Sequence, residues 1–263
     1  AFDLLMAARD LWPALADGVG IDLDRSGAAY YGAHIGRVAA RLRALGVSSG
    51  VYGDRVYTRE DWRLSPGAAM AALRTAAGQA GVVMEASEVI SPPDAGVLIL
   101  ATGSEGAGLA PELELLTPIK GHILRLEGGP DVGPVMRGDG VYVCPDPAGA
   151  LVGATMEHGV ADRTVDAARV AALRGAAEAL LPDLQGLSAS AFTGVRAATP
   201  DGLPMVGWSR RPGVMLAVGA RRNGWLLAPL VARTVAAYVA GEDPGPYAGR
   251  LDPRRFDNKE TGA

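Results

Sequence analysis

The passage from residue 213 to 229, GVMLAVGARRNGWLLAP, constrains this chain more than any other. Residues 214–218 are an apolar run that reads as a strand and ends on Gly219. A polar knot, Arg221-Arg222-Asn223-Gly224, then leads straight into an apolar helix. The first-turn amides of a helix lack intrahelical partners and the dipole is positive there, so such a junction can hold an anion or an electron-rich ring. The same letters equally describe a plain strand-to-helix connection capped by Asn223. Upstream, Arg196 closes a strand just before the turn sequence Pro200-Asp201-Gly202. An arginine at the mouth of a sheet can grip a carboxylate through two parallel bonds, or it can be a solvated strand end.

Helical spacing begins at once, with Phe2, Leu4, Leu5, Ala8, Leu11, Trp12 and Leu15, and predicts one helix to about residue 17, stopped by Gly18 and Gly20. No capping residue precedes it and residue 1 is alanine, so a longer natural polypeptide is expected. A short strand over 27–31, a helix over 34–45 and a loop with one strand near Val56 follow. Ser65 and Pro66 announce a helix to residue 80. Residues 81–84 read as a strand, and Ser91-Pro92-Pro93-Asp94 breaks the chain. The unbroken apolar run 97–101, bounded by Gly96 and Gly103, predicts a strand buried on both faces. From 118 to 155 the texture turns antiparallel, with strands over 120–126, 141–144 and 150–154. A helix over 165–181, strands over 191–196 and 214–218, and a helix over 224–240 ended by Gly241 complete the pattern. Buried-strand blocks interleaved with an antiparallel block imply an α/β chain with an α+β part, in two spatial domains entered more than once.

Composition narrows the function. In 263 residues, 49% apolar, no stretch is long and uncharged enough to span a membrane. A net charge of −4 without basic blocks argues against nucleic acid or an anionic membrane as partner. Cys144 is the single cysteine, which excludes a disulfide framework and a cysteine zinc site. With nothing indicating export, a reducing cytoplasm is the default expectation. His34, His122 and His158 share no ligand spacing, so no metal site is expected. Cys144, Trp12, Trp62 and Trp208 read as packing residues.

Taken in order, "ATG" at 101–103, "PIKGHILRL" at 118–126, "VYVCPDPAGALVGATME" at 141–157, "GVRAATPDGLPMVG" at 194–207 and "GARRNGWLLAP" at 219–229 give the chain its family character. It resembles the D-amino-acid-oxidase family of flavoproteins, and within it the glycine oxidases of the thiamine pathway. The resemblance runs from Leu4 to about Asp243. It implies a two-domain flavoprotein with a three-layer, doubly wound FAD-binding domain over 51–112 and 193–250. An antiparallel-sheet substrate domain would cover 1–50 and 113–192, and a tail 251–263. The implied activity is oxidation of glycine, or of a small amine or D-amino acid, by hydride transfer to FAD, with O2 as acceptor and H2O2 as product. A dehydrogenase of D-amino or secondary amines and a cofactor-free fragment are the alternatives. The implied partners are a small amino-acid substrate and O2, with room for a homo-oligomer.

Position by position, the resemblance makes Arg196 the grip on the substrate carboxylate and Arg222 a second arginine near that carboxylate and the flavin. It makes Tyr142 a hydrogen-bonding partner of the carboxylate and Met156 a wall of the small pocket. Gly219, Asn223, Gly224, Trp225 and Leu226 match the loop and helix start at the flavin ring edge. Ala101, Thr102 and Gly103 match a strand end passing the dinucleotide, and Val89 a residue whose backbone meets the adenine. The family's G-x-G-x-x-G unit is absent from these residues, since Gly103, Gly106 and Gly108 have the wrong spacing. That fingerprint is expected on a preceding segment.

Overall fold

A computed structural model of the chain describes residues 2–91, 95–128 and 133–259. In chain order the elements are α1 (Phe2–Asp10), α2 (Trp12–Val19), β1 (Ala28–Tyr31), α3 (Ile35–Ala44), β2 (Gly50–Tyr52), β3 (Arg55–Thr58), α4 (Pro66–Gln79) and β4 (Leu98–Leu100). There follow β5 (Thr117–Glu127), β6 (Val135–Arg137), β7 (Tyr142–Asp146), β8 (Gly149–Gly153), β9 (Glu157–His158), α5 (Ala167–Leu180) and β10 (Ala189–Ala198). The chain closes with β11 (Met205–Trp208), β12 (Val214–Val218), α6 (Gly224–Ala240) and α7 (Ala248–Leu251).

Two sheets organise these elements. The larger runs β10-β5-β8-β7-β6-β1-β3-β2, with β9 also on β5. Its pairs are antiparallel except β1 with β6. Side chains alternate across a strand, and register carries one face from strand to strand. On one face Leu124, Leu126, Val143 and Val152 pack under Leu173 and Ala177 of α5. Asp166 starts that helix, its carboxylate accepting from the amides of Ala168 and Arg169. The other face carries Tyr30, Arg137, Tyr142, Gly153, Gly121 and Arg196 in register and is left for the cleft.

The smaller sheet, β11-β12-β4, is the middle of three layers. Met205, Leu216 and Leu100 join Leu109, Leu113 and Phe256 on one side. Val206 faces Leu4 and Ala8 of α1, Leu227 and Leu230 of α6, and Leu251 on the other. Gly241, in the left-handed region at φ 71°, stops α6 as the sequence predicts.

The structure corrects several local expectations. The N-terminal helix is two helices, because Pro13 removes an amide from the first turn of α2 and the chain steps at Leu11. Residues 81–84 form no strand, and Val83 is 81% exposed. The run 97–101 yields a strand with only Leu100 buried: β4 pairs β12 on one side, and among the described residues no strand covers its other edge. Residues 47–62 hold a hairpin, β2 and β3, that charged, exposed positions conceal. Ser65 and Asn223 stand at helix starts but neither side chain makes a cap hydrogen bond. The last three residues of the proline-rich break, 92–94, lie outside the described residues.

Candidate active site

The open face of the larger sheet forms the floor of a cleft of about 600 Å³. The walls come from α1 and α2 (Leu5, Arg9, Trp12), from the segment after β3 (Glu60, Asp61, Trp62, Arg63) and from the loop before α6 and its first turn (Arg222, Trp225, Leu226).

Three floor residues come together through sheet register. Tyr30 faces Arg137 across the parallel β1–β6 pair, and Arg137 faces Tyr142 across β6–β7. Arg137 donates to Asp61 Oδ2 from Nε and lies within 2.7 Å of it through Nη2, while Tyr30 Oη donates to the same oxygen at 3.2 Å. Burial, reinforced by the Asp61 charge, raises the Tyr30 pKa. Burial also raises that of Tyr142, with neighbouring Cys144 adding to the rise and Arg196 and Arg137 opposing it. Both phenols are therefore protonated near neutrality and able to donate.

Arg196 approaches from the opposite side. Its Nη1 is buried and has no hydrogen-bond partner among the described residues, although its charge is felt at Tyr142. An unsatisfied buried guanidinium nitrogen is costly, and a carboxylate is the group that suits its planar fork. The next residue, Ala197, accepts the amide hydrogen of Arg221 at 2.9 Å, and Ala198 bridges to Ala220. The end of β10 is thereby fastened to the loop that starts α6.

That loop is tightly built. Gly219 has φ +81°, and a Cβ there would come 2.6 Å from Thr199 Cγ2. Arg221 follows in the left-handed region at φ 53°, with a buried Nε that meets no partner among the described residues. Arg222 is exposed on the cleft wall and makes no hydrogen bond or ion pair with the described residues. Trp225 tilts against Trp12 at 6.3 Å, and Trp12 Nε1 donates to the Trp225 carbonyl oxygen at 3.0 Å.

Of the residues singled out in the sequence, Tyr142, Arg222, Trp225 and Leu226 line the cleft and Arg196 adjoins Tyr142. Gly219, Asn223 and Gly224 form the adjoining loop. Met156 is half-buried beyond β8 and is not among the lining residues. Ala101, Thr102 and Gly103 follow β4 on the smaller sheet, and Val89 is 48% exposed in the irregular segment before it; none of these lines the cleft. Trp12 and Trp62 line the cleft as well as packing, Trp62 lying beneath the guanidinium groups of Arg9 and Arg25. Sequence reasoning missed Tyr30, Asp61 and Arg137. Only the period-two pattern of AAYY hinted that Tyr30 faces one side of a strand.

The glycine turn, the orphaned Arg221 Nε and a helix start flanked by Trp225 and Leu226 suit the edge of a flat, electron-rich ring. Among the described residues no cluster of histidine, cysteine and carboxylate side chains could hold a metal, and no helix is long and apolar enough to cross a membrane.

The chain belongs to the DAO family of FAD dependent oxidoreductases, whose pattern matches residues 1–238. It is 34% identical to the glycine oxidase of Pseudomonas putida over 167 residues, covering 59% of this chain and 46% of that one. It is 36% identical to that of Pseudomonas aeruginosa over 167 residues, with the same shares covered. The chain thus spans less than half the length of these curated relatives. In structure it is similar to glycine oxidase from Geobacillus kaustophilus, with a TM-score of 0.82 at 26% identity over 96% of this chain and 82% of that one.

Proposed function

We propose that the chain serves FAD-dependent oxidative deamination of glycine or a similarly small amine, with O2 as acceptor. For glycine the balance is glycine, O2 and water giving glyoxylate, ammonia and H2O2. The observation that carries the reading is the buried, partnerless Nη1 of Arg196 beside the protonated phenol of Tyr142. A carboxylate between them receives charge-assisted bonds that fix the substrate's α-carbon in one place. Arg222 adds a third positive or donating group from the α6 side.

FAD, when bound, supplies the two-electron acceptor. Gly219, Arg221, Asn223, Gly224, Trp225 and Leu226 would hold its ring edge, with Ala101–Gly103 and Val89 toward the nucleotide. The two carboxylates lining the cleft are already engaged, Glu60 by Arg9 and Asp61 by Arg137 and Tyr30. Neither is poised as a general base, which fits loss of the α-hydrogen with its bonding electrons from a substrate whose amine is already neutral. Trp12, Trp225 and Leu226 give that side of the cleft an apolar wall.

The test is peroxide yield with glycine, sarcosine and D-alanine, measured beside reduction of an artificial dye. Peroxide in step with substrate consumption is expected. Dye reduction without peroxide would replace the oxidase by a dehydrogenase.

A further inference from the structure

Arg196 on β10 and Tyr142 on β7 are separated by β5 and β8, and on the face they share those two strands present Gly121 and Gly153. A Cβ on Gly121 would overlap Nη1 of Arg196 and lie 2.8 Å from its Cζ and Nη2. On Gly153 it would overlap Oη and Cζ of Tyr142 and lie 2.8 Å from Cε1. Neither glycine has a positive φ, so backbone freedom is not what either supplies. Gly194 makes the contrast: it faces Gly121 across the β10–β5 pair, and a Cβ there would meet nothing within 4 Å.

We propose that Gly121 and Gly153 are positioning residues for substrate binding. They form a side-chain-free floor over which the guanidinium and the phenol reach toward each other from opposite sides and converge on one substrate carboxylate. This rests on the carboxylate reading above. The floor also fixes how close a substrate sits: any side chain at residue 121 lifts the guanidinium off the sheet into the space the carboxylate needs. The atoms displaced are the far end of a flexible side chain, so alanine moves the arginine and leaves the strand intact.

The experiment measures equilibrium binding of glycolate, the hydroxy counterpart of glycine, by calorimetry on the FAD-loaded protein, with thermal midpoints alongside. Gly121→Ala should weaken glycolate binding about tenfold or more and raise the glycine KM in parallel, with kcat and midpoint little changed. Gly194→Ala should leave all four unchanged. In an Arg196→Ala background, Gly121→Ala should cost nothing further, because the group it displaces is gone. Gly153→Ala supplies the independent arm and should weaken glycolate binding through Tyr142. If Gly121→Ala binds glycolate as well as Gly194→Ala does, or loses just as much without Arg196, the proposal is overturned. Glycolate affinity indifferent to Arg196→Ala sinks the carboxylate reading itself, and the floor with it.

Discussion

A buried guanidinium nitrogen left without an acceptor costs about 1–3 kcal/mol, and Arg196 bears that cost at Nη1. Charge-assisted bonds to a substrate carboxylate repay it at roughly 1.5–3 kcal/mol each, so Arg196→Ala should raise the glycine KM about tenfold or more in steady-state kinetics. Arg196→Lys should recover little of it, since an ammonium is a point charge and cannot offer the planar fork. Trp225 is tested by substrate ranking. Trp225 lines the cleft, its ring packs against Trp12 and its carbonyl accepts from Trp12 Nε1, so Trp225→Leu removes bulk from the wall without removing that hydrogen bond. Relative kcat/KM for D-alanine over glycine should rise, within the ~1–3 kcal/mol that a methylene is worth in an apolar pocket. Tyr142, Arg196 and Arg222 each sit in a contiguous motif, which is what let the resemblance name them as candidates. Tyr30, Asp61 and Arg137 do not: they meet only through the parallel β1–β6 pairing and the loop after β3, contacts between distant segments that leave no local pattern.

Among the elements, those with their own punctuation were readable. The glycine that ends α6, the proline that opens α4 and the apolar block of β12 are local signals, and each falls within a residue or two of the observed boundary. Burial was less readable than secondary structure. The run at 97–101 is as apolar as any central strand, yet Ile99 is 42% exposed, because an apolar run does not say whether a neighbouring strand exists. One element junction offers a pH test. Glu112, whose side chain is 1% exposed, accepts from Ser209 Oγ at 2.6 Å and from the Arg210 amide at 2.6 Å, tying the segment after β4 to the β11–β12 turn. Burial pushes its pKa up, but these donors and the Arg210 charge outweigh burial, and the net shift is downward. A folded pKa below the unfolded one means the stabilisation is full above the ordinary glutamate value of about 4.3 and is lost as the pH falls through the folded value. Thermal midpoints should therefore place Glu112→Gln below the parent at pH 7, with the gap closing in acid.

For the whole molecule, the edge of β4 that no strand covers among the described residues lies in sequence beside an exposed stretch that includes Val83 and Ile90, the latter 84% exposed. Unpaired strand edges with apolar surface nearby promote association between chains. Sedimentation velocity on the isolated 263-residue chain should reveal concentration-dependent self-association, and Ile99→Lys should reduce it. The larger sheet has a different consequence. Along β5, residues 120, 122, 124 and 126 point toward α5, while 119, 121 and 123 lie on the opposite face, the one that carries Arg196 and Tyr142. Tolerance to substitution along this strand should therefore keep a two-beat rhythm, one beat read out in thermal stability and the other in catalysis. A single residue inserted near its start would exchange the two scores and cost both at once.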